Sequence, residues 1–110
     1  MPQLTVIATM RALAGKEAEL QDHLAALVGH TRAEPGCIDY DLLRLQDDPS
    51  VFVMYENWTD RRALDEHLQM PYMRAFGAVL PDLLRSPLEM QLLDTLSPPR
   101  GLVPAPPSVD

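Results

Sequence analysis

Leu4 to Met10 reads LTVIATM, a run rich in β-branched residues that predicts a strand. After Ala14-Gly15 the rhythm changes. Leu20, Leu24, Leu27 and Val28 fall at helical spacing, with Glu17, Glu19 and Asp22 early in the element, and a helix is expected from Lys16 to about Ala33. Glu34-Pro35-Gly36 breaks it. Cys37 to Gln46, CIDYDLLRLQ, predicts a second strand with Ile38, Tyr40 and Leu42 on one face. Asp47-Asp48-Pro49-Ser50 is a turn, and Val51 to Trp58, VFVMYENW, a third strand, so the two strands form an antiparallel hairpin. Asp60 can cap a second helix that carries Leu64, His67 and Leu68 on one face. Pro71 suits the first turn of a new helical segment, continued by Met73, Phe76, Leu80 and Leu83. Leu88, Met90 and Leu92 alternate with Glu89 and Gln91, giving a fourth strand.

The order strand-helix-strand, strand-helix-strand is the split βαβ arrangement. It predicts an α+β fold of ferredoxin-like type (βαββαβ), a four-stranded antiparallel sheet with both helices on one face. Residues 1–96 form that domain. The tail, 97–110, has five prolines among fourteen residues and no packing pattern, and is expected to be extended, disordered or an arm lying on a partner. The third strand is apolar on both sides: Phe52 and Met54 on one, Val51, Val53 and Tyr55 on the other. Ile7, Leu43 and Leu45 add to the face without helices. Such a strand expects cover on both faces, and a second copy packed sheet against sheet supplies it. The expected partner is therefore the chain itself, as a homodimer.

With 110 residues and 46% hydrophobic composition, one domain with a modest core is expected. Sixteen acidic against nine basic residues give a formal charge of −7, which argues against nucleic acid or anionic membrane as partner. Cys37 is the single cysteine, so neither an internal disulfide nor a multi-cysteine zinc site is expected. No signal-peptide pattern and no long apolar run is present, and a reducing cytoplasm is the simplest expected setting.

Glu56 and Trp58 share the parity of Phe52 and Met54 and should face the helices, as should Tyr40. His67 joins the apolar stripe of the second helix, and Tyr72 and Phe76 follow. Together these could line a pocket with aromatic walls and few polar groups, with Met54 as part of the wall. Each residue also has a plain reading. Trp58 and Phe76 can be core, Tyr40 and Tyr72 can reach the surface, Glu56 can pair with Arg44 or Arg62, and a lone histidine on an apolar face is commonly a satisfied core histidine. His23 and His30 stand roughly 10 Å apart along the first helix and cannot share a metal; they read as surface residues. No metal site and no phosphate-binding loop is evident, and Cys37 reads as a small apolar residue.

Tyr55-Glu56-Asn57-Trp58, then Ala63-Leu64, His67-Leu68-Gln69, Pro71, Met73 and Phe76 resemble the antibiotic biosynthesis monooxygenase family, in particular its quinol-monooxygenase-like branch. The opening LTVIATMRALAGKEAEL and the Glu-Pro-Gly-Cys turn also fit, and the resemblance covers roughly residues 3–96. It implies a dimeric α+β barrel and, for some members, oxidation of quinols or phenols by molecular oxygen without metal or flavin. By this resemblance His67 becomes the candidate base, Trp58 and Phe76 would stack on the ring, Tyr40 or Tyr72 would donate to the developing oxyanion, and Glu56 would orient a donor. The sequence departs from the aromatic-polyketide oxygenases, which carry asparagine where Met54 and His67 stand. It also lacks the asparagine, tryptophan and histidine of the haem-degrading branch. The function expected is a cofactor-free monooxygenase of a small quinol or phenol. The alternatives are a non-catalytic dimer that binds a small aromatic ligand, a structural dimer with a filled core, or an isomerase of the same fold.

Overall fold

A computed structural model describes residues 3–98. The proline-rich tail lies outside the described residues from position 99 onward. Four strands, β1 (Leu4–Arg11), β2 (Cys37–Arg44), β3 (Val51–Trp58) and β4 (Glu89–Asp94), form one antiparallel sheet in the order β2-β3-β1-β4. Helix α1 (Glu17–Arg32) links β1 to β2, while α2 (Arg61–Leu68) and α3 (Pro71–Val79), followed by a 3₁₀ turn at Leu80–Asp82, link β3 to β4. This is the ferredoxin-like α+β architecture.

Local chemistry sets the boundaries. Asp60 is extended and its carboxylate accepts from the backbone N–H of Ala63 at 2.9 Å, which starts α2. Pro71 occupies the first turn of α3, where its missing N–H costs nothing. Gly15, at φ 87°, turns the chain from β1 towards α1 in a conformation that favours glycine.

The core lies between sheet and helices. Val6, Ala8 and Met10 of β1, Tyr40 of β2, and Phe52, Met54 and Trp58 of β3 meet Leu20, Leu24 and Leu27 of α1, Leu64 of α2, and Phe76. Glu56 sits on this same face, opposite Val6 on one side and Tyr40 on the other.

One expectation about side-chain direction needs correction: Ile38 does not share the inward face of Tyr40 and Leu42 but is 47% exposed. The register shifts between Cys37 and Asp39, so Ile38 is an inserted residue; the bulge turns Cys37 towards the core and Ile38 away from it. The fourth strand is present where the alternation predicts it, and all six of its residues are exposed. β2 also ends at Arg44, two residues earlier than expected.

The face without helices carries half-buried Ile7, Val53 and Tyr55, with Leu43 and Leu93 exposed. Among the described residues no helix is long and apolar enough to cross a membrane, and no cluster of three or more histidine, cysteine, aspartate or glutamate side chains could hold a metal.

Candidate functional site

The aromatic residues singled out by the sequence converge. The ring of His67 lies 4.6 Å from that of Trp58 and 5.5 Å from that of Tyr40, centroid to centroid, and Tyr40 meets Trp58 edge-on at 6.4 Å. Alternation on β2 and β3 aims Tyr40 and Trp58 at the helices, and the position of His67 one turn after Leu64 on α2 aims it at the sheet. The three rings pack on one another, and all are buried. Met54 lies one pleat from Glu56, opposite Ala8 and Leu42, within the core. Phe76 packs in the core from α3 and lines a groove on its outer side.

What makes this more than an apolar cluster is Glu34. Its Oε2 accepts from Nδ1 of His67 at 2.8 Å, and the Tyr72 hydroxyl donates to the same oxygen. The side chains of His67 and Glu34 are only 1% and 8% exposed, so the pair is closed off from bulk water. In a neutral imidazole, a carboxylate on Nδ1 selects the tautomer with the proton on Nδ1 and the lone pair on Nε2. Among the described residues Nε2 has no hydrogen-bond partner. Sequence reading missed Glu34, which entered only as part of a helix-breaking turn.

The turn is held where it is by close packing. The Thr59 backbone N–H donates to the Gly36 carbonyl at 2.9 Å. A Cβ on Gly36 would come 2.3 Å from the Ala63 Cβ, so only glycine lets the 34–37 turn approach the start of α2 this closely. That approach brings Glu34 to His67.

A second buried carboxylate stands nearby. Glu56 is 4% exposed, and its Oε1 accepts from the indole N–H of Trp58 at 2.9 Å. It pairs with neither arginine suggested by the sequence, and Arg62 bonds Glu66 on its own helix. Burial pushes the Glu56 carboxyl up to about 7, against the Trp58 hydrogen bond, which lowers it, and with the charge of Glu34, which raises it. Burial and then the hydrogen bond to Glu34 push the Tyr72 phenol up to about 12, and burial raises Tyr40 as well. Both phenols therefore remain donors at neutral pH. The thiol of Cys37 is pushed up to about 11, chiefly by burial, which makes it a poor nucleophile.

Tyr72 faces two ways. Its hydroxyl belongs to the buried network, while its ring stacks on His30 at 5.0 Å and 26°. Both rings border an open groove of about 300 Å³ between α1 and α3. His30, read from the sequence as a plain surface residue, thus lengthens the aromatic chain from Trp58 to the exterior.

The fold recurs in known proteins. The model of the family described as "Antibiotic biosynthesis monooxygenase" matches residues 3–79. A Mycobacterium tuberculosis protein named "Putative monooxygenase Rv0793" is 33% identical over 93 residues, covering 84% of this chain and 91% of that protein. The solved structure of Rv0793 superposes with a TM-score of 0.84 at 32% identity, covering 87% of this chain and 97% of that one. Another solved structure, PA3566 from Pseudomonas aeruginosa, gives a TM-score of 0.83 at 35% identity, covering 88% and 97%. A Synechocystis protein, sll1783, is 40% identical over 62 residues, but the match spans only 56% of this chain and 42% of that protein. The chain belongs to the antibiotic biosynthesis monooxygenase family.

Proposed function

We propose that this protein is a cofactor-independent monooxygenase that oxidises a small quinol or phenol with molecular oxygen, acting as a homodimer. The observation that carries the reading is the buried Glu34–His67 pair. An imidazole held on Nδ1 by a carboxylate has Nε2 left to take a proton from an acidic hydroxyl.

The chemistry follows from the substrate. Ground-state oxygen is a triplet and reacts slowly with closed-shell molecules, but a quinolate can give it one electron. His67 Nε2 removes the phenolic proton, and Glu34 stabilises the imidazolium that results. The electron passes to oxygen, and the semiquinone and superoxide radicals combine to form a carbon–oxygen bond on the ring. Loss of that carbon's proton then breaks the O–O bond. One oxygen stays as a new carbonyl and the other leaves as water. Hydroquinone and dioxygen thus yield a hydroxyquinone and water, with the substrate supplying every electron. Tyr40, held protonated, can donate to the ring oxygen as charge develops, and Tyr72 can do so once its hydroxyl leaves Glu34. Trp58, pinned through its indole N–H by Glu56, supplies the flat wall beside the imidazole. Met54 and Phe76 complete the apolar lining.

The homodimer is supported by the uncovered sheet face. Leu43, Leu45 and Leu93 are each more than 40% exposed, next to half-buried Ile7, Val53 and Tyr55. A second copy packed sheet to sheet would remove this patch from water.

One observation favours a second reading, a non-catalytic dimer that binds a small aromatic ligand: Tyr40 and Trp58 pack directly on His67 and leave it nearly without access. Turnover separates the two. Reduced menadione and ¹⁸O₂ should give a hydroxyquinone carrying one ¹⁸O, formed faster than in buffer. Consumption no faster than in buffer across a panel of quinols and naphthols would overturn the monooxygenase reading.

A further inference from the structure

We propose that the groove between α1 and α3 binds a planar aromatic ring of one or two fused rings, and that it is the route by which such a ring reaches the buried network. The route rests on the monooxygenase reading; the binding does not.

The groove is a product of helical spacing. His23, Leu27 and His30 recur at intervals of four and three along α1, and Tyr72, Phe76 and Val79 do the same along α3, so each triplet forms one stripe. The two stripes enclose about 300 Å³, the lower end of the range for small-molecule sites, which suits a compact ligand. Leu27, Phe76 and Val79 offer apolar walls. His23 and His30 place imidazole nitrogens where a phenolic hydroxyl can exchange hydrogen bonds.

The stacked pair offers an aromatic ligand a flat surface to pack on. His30 already lies on Tyr72 in a near-parallel arrangement, and His30 is exposed on the helix surface. An incoming flat ring can extend that stack or replace His30 in it. Tyr72 then couples the groove to the chemistry, because its hydroxyl rests on Glu34 while its ring forms the groove wall. Rotation of this one side chain breaks its bond to Glu34 and opens the path from groove to imidazole. Neither Glu34 nor His67 lines the groove, so it can be filled at Ala75 without altering the proton-transferring pair.

The test is a titration of the full chain with 2-naphthol under argon, where no oxidation can occur, followed through the histidine ring resonances by NMR. The His23 and His30 signals should move. Ala75→Phe, which fills the groove from an exposed position on α3, should weaken binding about tenfold or more. If Ala75→Phe does not fold, His30→Ala carries the same test from the surface of α1, with the same expected loss. Under oxygen, Ala75→Phe should raise the KM for a quinol and leave kcat near wild type. The proposal is overturned by 2-naphthol failing to bind, by unmoved His23 and His30 signals on binding, or by wild-type affinity in the plugged variant. Binding as predicted without turnover of any quinol would refute the monooxygenase reading and leave the groove standing. Turnover with an unchanged KM in Ala75→Phe would do the reverse.

Discussion

Replacing Gly36 by alanine adds a single carbon at the point where the 34–37 turn meets α2. That carbon would lie 2.3 Å from the Ala63 Cβ and 3.1 Å from the Thr59 Oγ1, with the Ala63 Cα at 3.5 Å. Ordinary contact begins near 3.4 Å, so turn and helix must part by about 1 Å. The helix cannot give way cheaply, because Asp60 caps it through the Ala63 N–H at 2.9 Å. The turn must move, stretching the Thr59-to-Gly36 bond of 2.9 Å and drawing Glu34 away from His67. Overpacking of this kind costs about 1–3 kcal/mol. With a urea slope of roughly 1–3 kcal/mol per M for a small protein, the unfolding midpoint should fall by about 1 M. The φ of Gly36 is not positive, so backbone strain contributes nothing and the effect is purely one of contact. Ala63→Gly in the same chain removes the struck atom. By itself it costs about 1 kcal/mol as a helix glycine, yet the double variant should be more stable than Gly36→Ala alone. Urea unfolding of the four proteins measures this coupling, and quinol turnover should recover in parallel. Additive losses with no recovery in the double variant would mean that the turn is not held by this contact.

Glu34→Gln keeps the size of the side chain but removes the charge that stabilises a protonated His67; quinol turnover should fall ~10²-fold or more, and ¹⁵N shifts of the His67 ring should report a change in tautomer population. For Glu56 the folded carboxyl titrates near 7 against an ordinary value of 4.5. The folded protein thus holds this proton more tightly than the unfolded chain does, and stability falls as pH rises between these values, by roughly 3 kcal/mol at most. Denaturation of wild type and Glu56→Gln from pH 4 to 8 should show that slope only in wild type; parallel curves would rule it out. Val53→Asp places an unpaired charge on the open sheet face, and sedimentation should show a monomer where wild type is a dimer. A monomeric wild type at micromolar concentration would refute the dimer directly.

The alternation of the sequence specified the sheet's helix-facing side well where strands are regular. Phe52, Met54, Glu56 and Trp58 all point inward, as two-residue periodicity requires. It failed at Ile38, because an inserted residue reverses the parity beyond it without leaving any trace in composition. It placed β4, whose full exposure strand periodicity does not record, because burial there depends on how far the helices reach over the sheet edge. The aromatic half of the site was legible for the same reason that the strands were: Tyr40, Trp58 and His67 each sit on an inward face of their own element. Glu34 was not. It lies in a turn, its partner is 33 residues away, and only the close approach of Gly36 to Ala63 brings the two together. The reach of Tyr72 to His30 was hidden likewise, since it joins two helices whose mutual orientation follows from the tertiary fold.

The measurement that bears most directly on Glu34 and His67 as the working pair is the pH dependence of quinol oxidation in wild type and His67→Ala. The pair predicts that kcat/KM in wild type falls on the acid side, where the imidazolium cannot accept a proton. It predicts further that His67→Ala, correctly folded, is slower by ~10²-fold or more and has lost that acid limb. A His67→Ala variant that keeps the wild-type rate with the same acid limb would show that the proton goes elsewhere, and would leave Glu34 and His67 as a buried structural contact.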